Sequence, residues 1–393
     1  MTSIELAEHG PARSVKLETA GGQALAASGL VEAAPDPWHP DRWRVKAGRK
    51  IGVTVVTVPG GQTITLRIKP KLPIARLLFL LGYSLDPKGW REEEVRLGDE
   101  SELLPALARL FERQTWQALR QGLIQGYRSV EETSLVVRGR VREAEQIRRH
   151  HGKLLPLEIA HDEYTADIAE NRLLLTAIER LCRLPGIDHT VRGGLLRLRV
   201  QLAEVTPIGR GHPLPTWRPN RLNARYHNSL RLAELILRGA SVEHRPGDIT
   251  VNGFLFDMAK VFEDFVTVAL REALGGTCVL QDNGHHLDEH HEIALIPDFV
   301  GYAKDGTPLA VADAKYKAEK PDGFPNADIY QMLAYCTALN LPKGHLIYAK
   351  GHADHVAHRV RHAGVTIYQH ALVLDQPPAG LLDDIGVLAR LLI

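Results

Sequence analysis

The stretch IPDFVGYAKDGTPLAVADAKYK, residues 296–317, constrains this chain more than any other. Asp305-Gly306 lies between two apolar runs, and Asp-Gly in that setting is the strongest short hairpin signal. With these two as the central turn residues, antiparallel pairing sets Lys304 against Thr307, Tyr302 against Leu309, Val300 against Val311, and Asp298 against Asp313. Directly opposed side chains share a face, their Cβ atoms roughly 4.5–5.5 Å apart. The period of two places Lys315 on that face as well, beside Asp313. Register alone therefore gathers two carboxylates and an ammonium at the end of a strand that otherwise reads as buried. Carboxylates this close repel unless one is protonated or a cation sits between them. Mg²⁺ (or Mn²⁺) favours such oxygen ligands. A lysine alongside can orient or deprotonate a bound water, or stabilise charge on a phosphate. The set is a toolkit for metal-assisted phosphodiester hydrolysis, with Asp298 and Asp313 as metal ligands. The plainer alternative is a structural salt bridge between Lys315 and one aspartate. Ala310, Ala312 and Ala314 face the other way and leave room for a closely packed helix.

At 393 residues the chain is too long for one average domain. Three segments are expected, together an α+β or α/β multidomain protein. The first, residues 1–125, is expected to be a β/α domain, an arm of β-hairpin plus helices. GVTVVTV and QTITLRI alternate around Pro59-Gly60-Gly61, and IARLLFLLGY and LLPALARLFERQTWQALRQGLI carry helical spacing. The second, residues 126–245, is rich in arginine and expected to be mainly helical, with DEYTADIAENRLLLTAIERL and RYHNSLRLAELILRG as helices. The third, residues 246–393, reads in the order α-β-β-β-α-β, which implies a mixed sheet flanked by helices.

Lys plus Arg number 48 and Asp plus Glu 47, so bulk charge identifies no partner and any nucleic-acid contact must be a local basic face. Cys182, Cys278 and Cys336 form no CxxC pair, which points to a reducing cytoplasm. The opening MTSIELAEHGPARS has no secretory pattern, and IARLLFLLGYSL, interrupted by Arg76, is too short to span a bilayer, so no membrane partner is expected. No GxxxxGK[ST] phosphate loop occurs, so this chain is expected to bind no nucleotide itself.

Pro297-Asp298 followed by Asp313-Ala314-Lys315 resembles the PD-(D/E)xK nuclease superfamily. Gln331 and Tyr335 match the QxxxY signature of its RecB-like branch. Glu263, in VFEDFV, stands where many such nucleases carry a further acid; solvation on the far side of its helix is the alternative. For Gln331 and Tyr335 the alternative is a helix-to-core hydrogen bond. Together with GYRSVEETSLVVRGRV, HDEYTADIAENRLLLTAIERL and FDMAKVFEDFV, the order of motifs is similar to the McrC family, nuclease subunits of McrBC modification-dependent restriction systems. That resemblance implies a Mg²⁺-dependent endonuclease for double-stranded DNA carrying modified cytosine. It also implies a partner, a hexameric AAA+ GTPase of McrB type, whose GTPase this chain stimulates through a docking arm.

Arg138 and Arg140 in VVRGRVRE are candidates for partner or DNA contact, sharing one face if the stretch is extended; a solvated basic surface is the alternative. Asp167 is a candidate N-cap, with Glu170 completing a capping box. His285, His286, His290 and His291 raise a zinc reading. They fall between strands, where a loop is expected, and such a loop can equally line a DNA channel. Two further functions stay open: a non-cutting assembly and GTPase-activating factor, and a RecB-like nuclease module serving a repair helicase.

Overall fold

The computed structural model describes residues 2–58, 63–87, 102–151, 153–209, 211–245, 249–275, 277–316, 326–349 and 356–392. Two compact units emerge: Met1–Ala106 with Gly239–Ile393, and Leu107–Arg238. The division differs from three consecutive segments because the last third of the chain returns to the first.

The chain opens with β1 (Thr2–Ala7), β2 (Arg13–Lys16), α1 (Thr19–Ser28), β3 (Val31–Pro35), β4 (Arg42–Ala47), β5 (Lys50–Thr57), β6 (Thr63–Lys69) and α2 (Ile74–Leu85). β5 and β6 pair as the expected antiparallel hairpin, Thr57 opposite Thr63; the Pro59-Gly60-Gly61 turn lies outside the described residues. Alternation puts Ile51 and Val53 on one face of β5 and Val56 on the other, and all three are buried. α2 turns Leu77, Leu78, Leu80 and Leu81 into the core, as its helical spacing requires.

α3 (Leu103–Leu119) leads into the second unit, which holds β7 (Gly126–Ser134), β8 (Arg140–Val141), α4 (Glu143–His150), β9 (Leu157–Thr165), α5 (Ala169–Arg183), α6 (His189–Gln201) and α7 (His227–Gly239). Besides its helices this unit holds a three-stranded sheet, in the order β7-β9-β8, that the sequence reading did not place. Asp162–Thr165, read as part of a helix, instead ends β9. There Tyr164 pairs across the ladder with Tyr127, their rings 5.2 Å apart, and cross-strand aromatic pairing favours the strand. Asp167 is not the N-cap of α5. Its buried carboxylate takes Arg172 on Oδ1 at 2.7 Å and Oδ2 at 2.8 Å, and the Thr206 amide at 2.9 Å. Burial raises its pKa, but the hydrogen bonds from Arg172 and Thr206 outweigh this and hold it well below the usual range.

The chain then rejoins the first unit through β10 (Ala240–Arg245) and β11 (Ile249–Asp257). β11 pairs with β5, giving a five-stranded sheet in the order β1-β6-β5-β11-β10. Ile249–Asp257, assigned in sequence to the last segment, thus completes the first sheet. α8 (Met258–Leu274) starts where Asp257 accepts from the Ala259 amide and stops at Gly275, whose φ is +59°. Its Phe265 ring packs 5.7 Å from Phe79 and 5.5 Å from Tyr83 of α2.

β12 (Thr277–Leu280), β13 (His285–His286), β14 (Ala294–Leu295), β15 (Phe299–Tyr302), β16 (Pro308–Lys315), α9 (Asn326–Ala338), β17 (Lys343–Tyr348), β18 (Val356–Arg359), β19 (Thr366–Ala371) and α10 (Pro378–Leu392) complete the chain. Six strands form a mixed sheet ordered β12-β15-β16-β17-β19-β18, antiparallel at both ends and parallel through β16, β17 and β19. α9 covers one face, burying Met332, Tyr335 and Cys336 against Val300, Val311, Leu346 and Ile367. Gly344 sets how closely the helix approaches. A Cβ there would fall 2.5 Å from Cys336 Sγ and 2.6 Å from Met332 Sδ. Gly344→Ala is therefore expected to destabilise the protein by about 1–3 kcal/mol through overpacking, read as a lower urea midpoint. An unchanged midpoint would show that α9 does not depend on this contact.

Candidate active site

β15 and β16 pair as expected near the acids and differently at the turn. Val300 faces Val311 and Phe299 faces Ala312, but Tyr302 faces Pro308, not Leu309. The loop is one residue longer than a two-residue turn. The Ala303 amide donates to Thr307 O at 2.8 Å, and Gly306 sits in the left-handed region at φ +87°. Asp305 Oδ1 accepts from the Thr307 amide at 3.0 Å and favours this longer, glycine-closed turn. A bulge next to Gly301 absorbs the offset, so the register beyond it is the one that brings Asp298 level with Asp313.

Asp298 Oδ2 accepts from the Ala314 amide at 2.8 Å, tying the residue before β15 to the end of β16. Asp313 is buried and forms an ion pair with the Lys315 ammonium. Burial and the charge of Asp313 push the Asp298 carboxyl up to about 8, with Glu263 adding to the rise. Burial raises Asp313 too, against the pull of Lys315. Burial alone would lower Lys315, but the carboxylates of Asp313 and Asp298 reverse this and keep it cationic.

Lys315 Nζ donates to Gln331 Oε1 at 2.9 Å, Gln331 Nε2 donates to the Tyr335 hydroxyl at 2.9 Å, and that hydroxyl donates to Ile296 O at 3.1 Å. One chain of hydrogen bonds thus runs from the lysine through α9 to the backbone two residues before Asp298. Glu263, on α8, accepts from Lys260 Nζ at 3.0 Å and from Gln281 Nε2. The structure brings together all six residues singled out in the sequence for this site. Arg138 and Arg140 belong to the second unit, and both are exposed. Arg140 is in β8 but Arg138 precedes it, and Gly139 between them has φ +69°, so the stretch is not continuously extended and strand alternation does not align them.

Two neighbours escaped the sequence reading. Asp328, buried on α9, adds negative charge that raises Asp313, and its Oδ2 accepts from the Tyr348 hydroxyl at 3.2 Å. Its spacing to Gln331 and Tyr335 puts all three on one helical face, a signal the sequence carried. Gln281 had no local signal: it reaches Glu263 only because β12 lies against β15, where its amide donates to Asp298 O at 3.0 Å.

The donor set fits a hard divalent cation. The charge of Asp313 helps raise the Asp298 carboxyl, and Asp313 Oδ2 is buried with no hydrogen-bond partner beyond its ion pair. Among the described residues no group of three or more His, Cys, Asp or Glu side chains could hold a metal ion. Asp298 and Asp313 are the side chains that could hold such a cation, and Mg²⁺ binds through one or two carboxylates while keeping several waters. The histidine tract is otherwise engaged: His285 Nε2 lies 2.8 Å from the Tyr302 hydroxyl, and His286 stacks on His291 at 4.6 Å. Among the described residues no helix is long and apolar enough to cross a membrane.

Residues 45–349 match the protein family McrBC, described as a McrBC 5-methylcytosine restriction system component. Among solved structures, the chain is similar to one in the refined half-complex from the tetradecameric assembly of Thermococcus gammatolerans McrB AAA+ hexamers with bound McrC. The identity is 17%, the TM-score 0.57, and 100% of each chain is covered. A chain of the Thermococcus gammatolerans McrBC complex, solved by cryo-EM, is 21% identical over 70% of this chain and 88% of its own, with a TM-score of 0.41. No curated protein matches.

The shifted carboxyl has a consequence for stability. With its folded pKa raised, Asp298 stabilises the metal-free protein at low pH and loses that contribution as pH climbs from about 4 toward about 8. Asp298→Asn should therefore melt above the wild type at pH 8 without metal, with the advantage gone near pH 4. Mg²⁺ should raise the wild-type melting temperature at pH 8 and leave the variant unmoved. Equal melting temperatures at pH 8 would contradict the charge repulsion.

Proposed function

Because the chain belongs to the McrBC family of 5-methylcytosine restriction system components, we propose that it is the subunit that cuts DNA. The reading is a Mg²⁺-dependent (or Mn²⁺-dependent) endonuclease of the PD-(D/E)xK type, acting on double-stranded DNA with modified cytosine. The observation that carries it is the convergence of Asp298, Asp313 and Lys315 on one face of a hairpin.

Hydrolysis of a phosphodiester needs a water aligned with phosphorus, compensation of charge on the phosphate, and a proton for the leaving 3′ oxygen. Asp298 and Asp313 would hold the cation, which when bound activates water and neutralises charge at the phosphate. Lys315 enters as a cation, since its pKa is raised. That suits it to electrostatic stabilisation of the phosphate in the transition state rather than to removing a proton. Gln331 and Tyr335 hold the ammonium in place, and Glu263 adds a third negative charge to the same pocket.

The Thermococcus gammatolerans structure contains McrB AAA+ hexamers with bound McrC. By likeness to it, this chain docks on a hexameric AAA+ GTPase of McrB type, supplies the cutting site and stimulates the partner's GTP hydrolysis. It has no phosphate loop of its own. Arg138 and Arg140 are the proposed contacts. Beside them Leu135, Val136 and Val137 are 73%, 60% and 62% exposed, an apolar cluster suited to a partner surface.

Two outcomes are expected with partner, GTP, Mg²⁺ and methylated DNA. Asp313→Ala should lower cleavage by about 100-fold or more while partner GTPase stimulation stays intact. Arg138→Ala with Arg140→Ala should weaken that stimulation and leave the metal-induced rise in melting temperature unchanged. Cleavage at the wild-type rate by Asp313→Ala would end the assignment of the site, and unchanged GTP turnover would remove the arginines from it.

A further inference from the structure

β2, β4 and β3 form a small three-stranded sheet that the cutting site does not use. α1 packs on one face: a Cβ on Gly22 would fall 1.9 Å from the Trp43 ring, and Trp43, Val45 and Ala47 point inward. Alternation sends Arg42, Arg44 and Lys46 outward, where Arg44 and Lys46 are exposed. Across the ladder, Arg42 faces Lys16, Arg44 faces Ser14 and Ala34, and Lys46 faces Glu32. Four cations thus share this face with Glu32, with Asp41, which pairs with Lys16 at 3.4 Å, and with Asp36, which accepts from the Ser14 hydroxyl. Small residues flank it. Ala34, Pro35 and Pro37, with Glu32, Arg44 and Lys46, are among the residues that line an open hollow of about 550 Å³. The next residue, Trp38, is 84% exposed.

The face is tied closely to the cutting strand. Glu8, at the end of β1, is buried and its carboxylate bears on the Tyr316 hydroxyl, raising its pKa together with burial. Tyr316 directly follows Lys315. The segment from Glu8 to Arg13, where β2 begins, spans at most about 18 Å even when fully extended. That is within one turn of B-DNA, about 34 Å.

We propose that the outward face of the β2–β4–β3 sheet binds the backbone of duplex DNA, with Arg44 and Lys46 on phosphates and Trp38 packing against the strand at the rim. This rests on the reading of the chain as a DNA nuclease and adds to it a surface for substrate in the same unit as the carboxylates. Phosphate contacts carry no base information, so the face grips methylated and unmethylated duplex alike. A positive face suits a polyanion of repeating charge.

The test is fluorescence anisotropy of the full chain with a labelled 30-base-pair duplex, in EDTA so that cleavage plays no part. Arg44→Ala with Lys46→Ala should weaken binding about tenfold at low salt. It should also flatten the plot of log affinity against log salt by about 2, near one for each lost phosphate contact. Arg44→Lys should retain most of the affinity, and a melting curve matching the wild type shows that the double variant is folded. Wild-type affinity and slope in the double variant, or no duplex binding by the wild type at low salt, would overturn the proposal without touching the cleavage result. Loss of binding on mutating the face, in a chain whose partner complex cuts nothing, would uphold the DNA face and defeat the nuclease reading.

Discussion

Mutual repulsion between Asp298 and Asp313 is the constraint around which the site is arranged. Neither acid would be held so near the other without compensation, and the compensation is visible in two places. Ala314 donates its amide to Asp298. Lys315 places its ammonium on Asp313. The rest is left as raised carboxyl pKa values, an unmet demand for positive charge. Hydrogen bonds from Gln331 and Tyr335 then fix the ammonium, and Gly344 allows α9 close enough to make them. Each of these depends on the one before. Moving α9 outward would release Lys315 before it disturbed the aspartates.

The acids could be read from the sequence because the signal was local and periodic. Val300 opposite Val311 followed from the Asp-Gly turn and the period of two. The real turn is longer, yet the bulge at Gly301 cancels the difference; two departures of one residue each left the distal register intact. Gln331 and Tyr335 were legible as a helical pair. Gln281 was not, because its partner Glu263 lies on another element and only sheet pairing joins them. The middle sheet was missed for a related reason. DEYT sits next to a long helical pattern, and cross-strand pairing with β7 overrides the neighbouring periodicity. The return of β11 to β5 is a long-range pairing that no local pattern announces. β18, β19 and α10 were left unread in the last segment.

The two units divide the proposed labour. The first carries the carboxylates and a separate basic sheet, both suited to DNA. The second carries exposed arginines and apolar side chains suited to a protein. In its sheet Glu158, buried, is held by Thr133 at 2.7 Å and His150 at 3.0 Å, and Asp167 is held by Arg172 and Thr206. Such buried, fully engaged carboxylates stiffen a scaffold. They differ from Asp313, whose Oδ2 meets a single ammonium and no hydrogen-bond donor besides. That difference sets Asp313 apart from the acids that build the fold.

Anomalous diffraction from crystals soaked in Mn²⁺ tests the central claim most directly, because it locates the ion without reference to activity. A peak between the carboxylates of Asp298 and Asp313, lost in Asp313→Asn crystals, is the expected result. Strong Mn²⁺ density bound elsewhere, with the two carboxylates still sharing a proton and no ion between them, would contradict it.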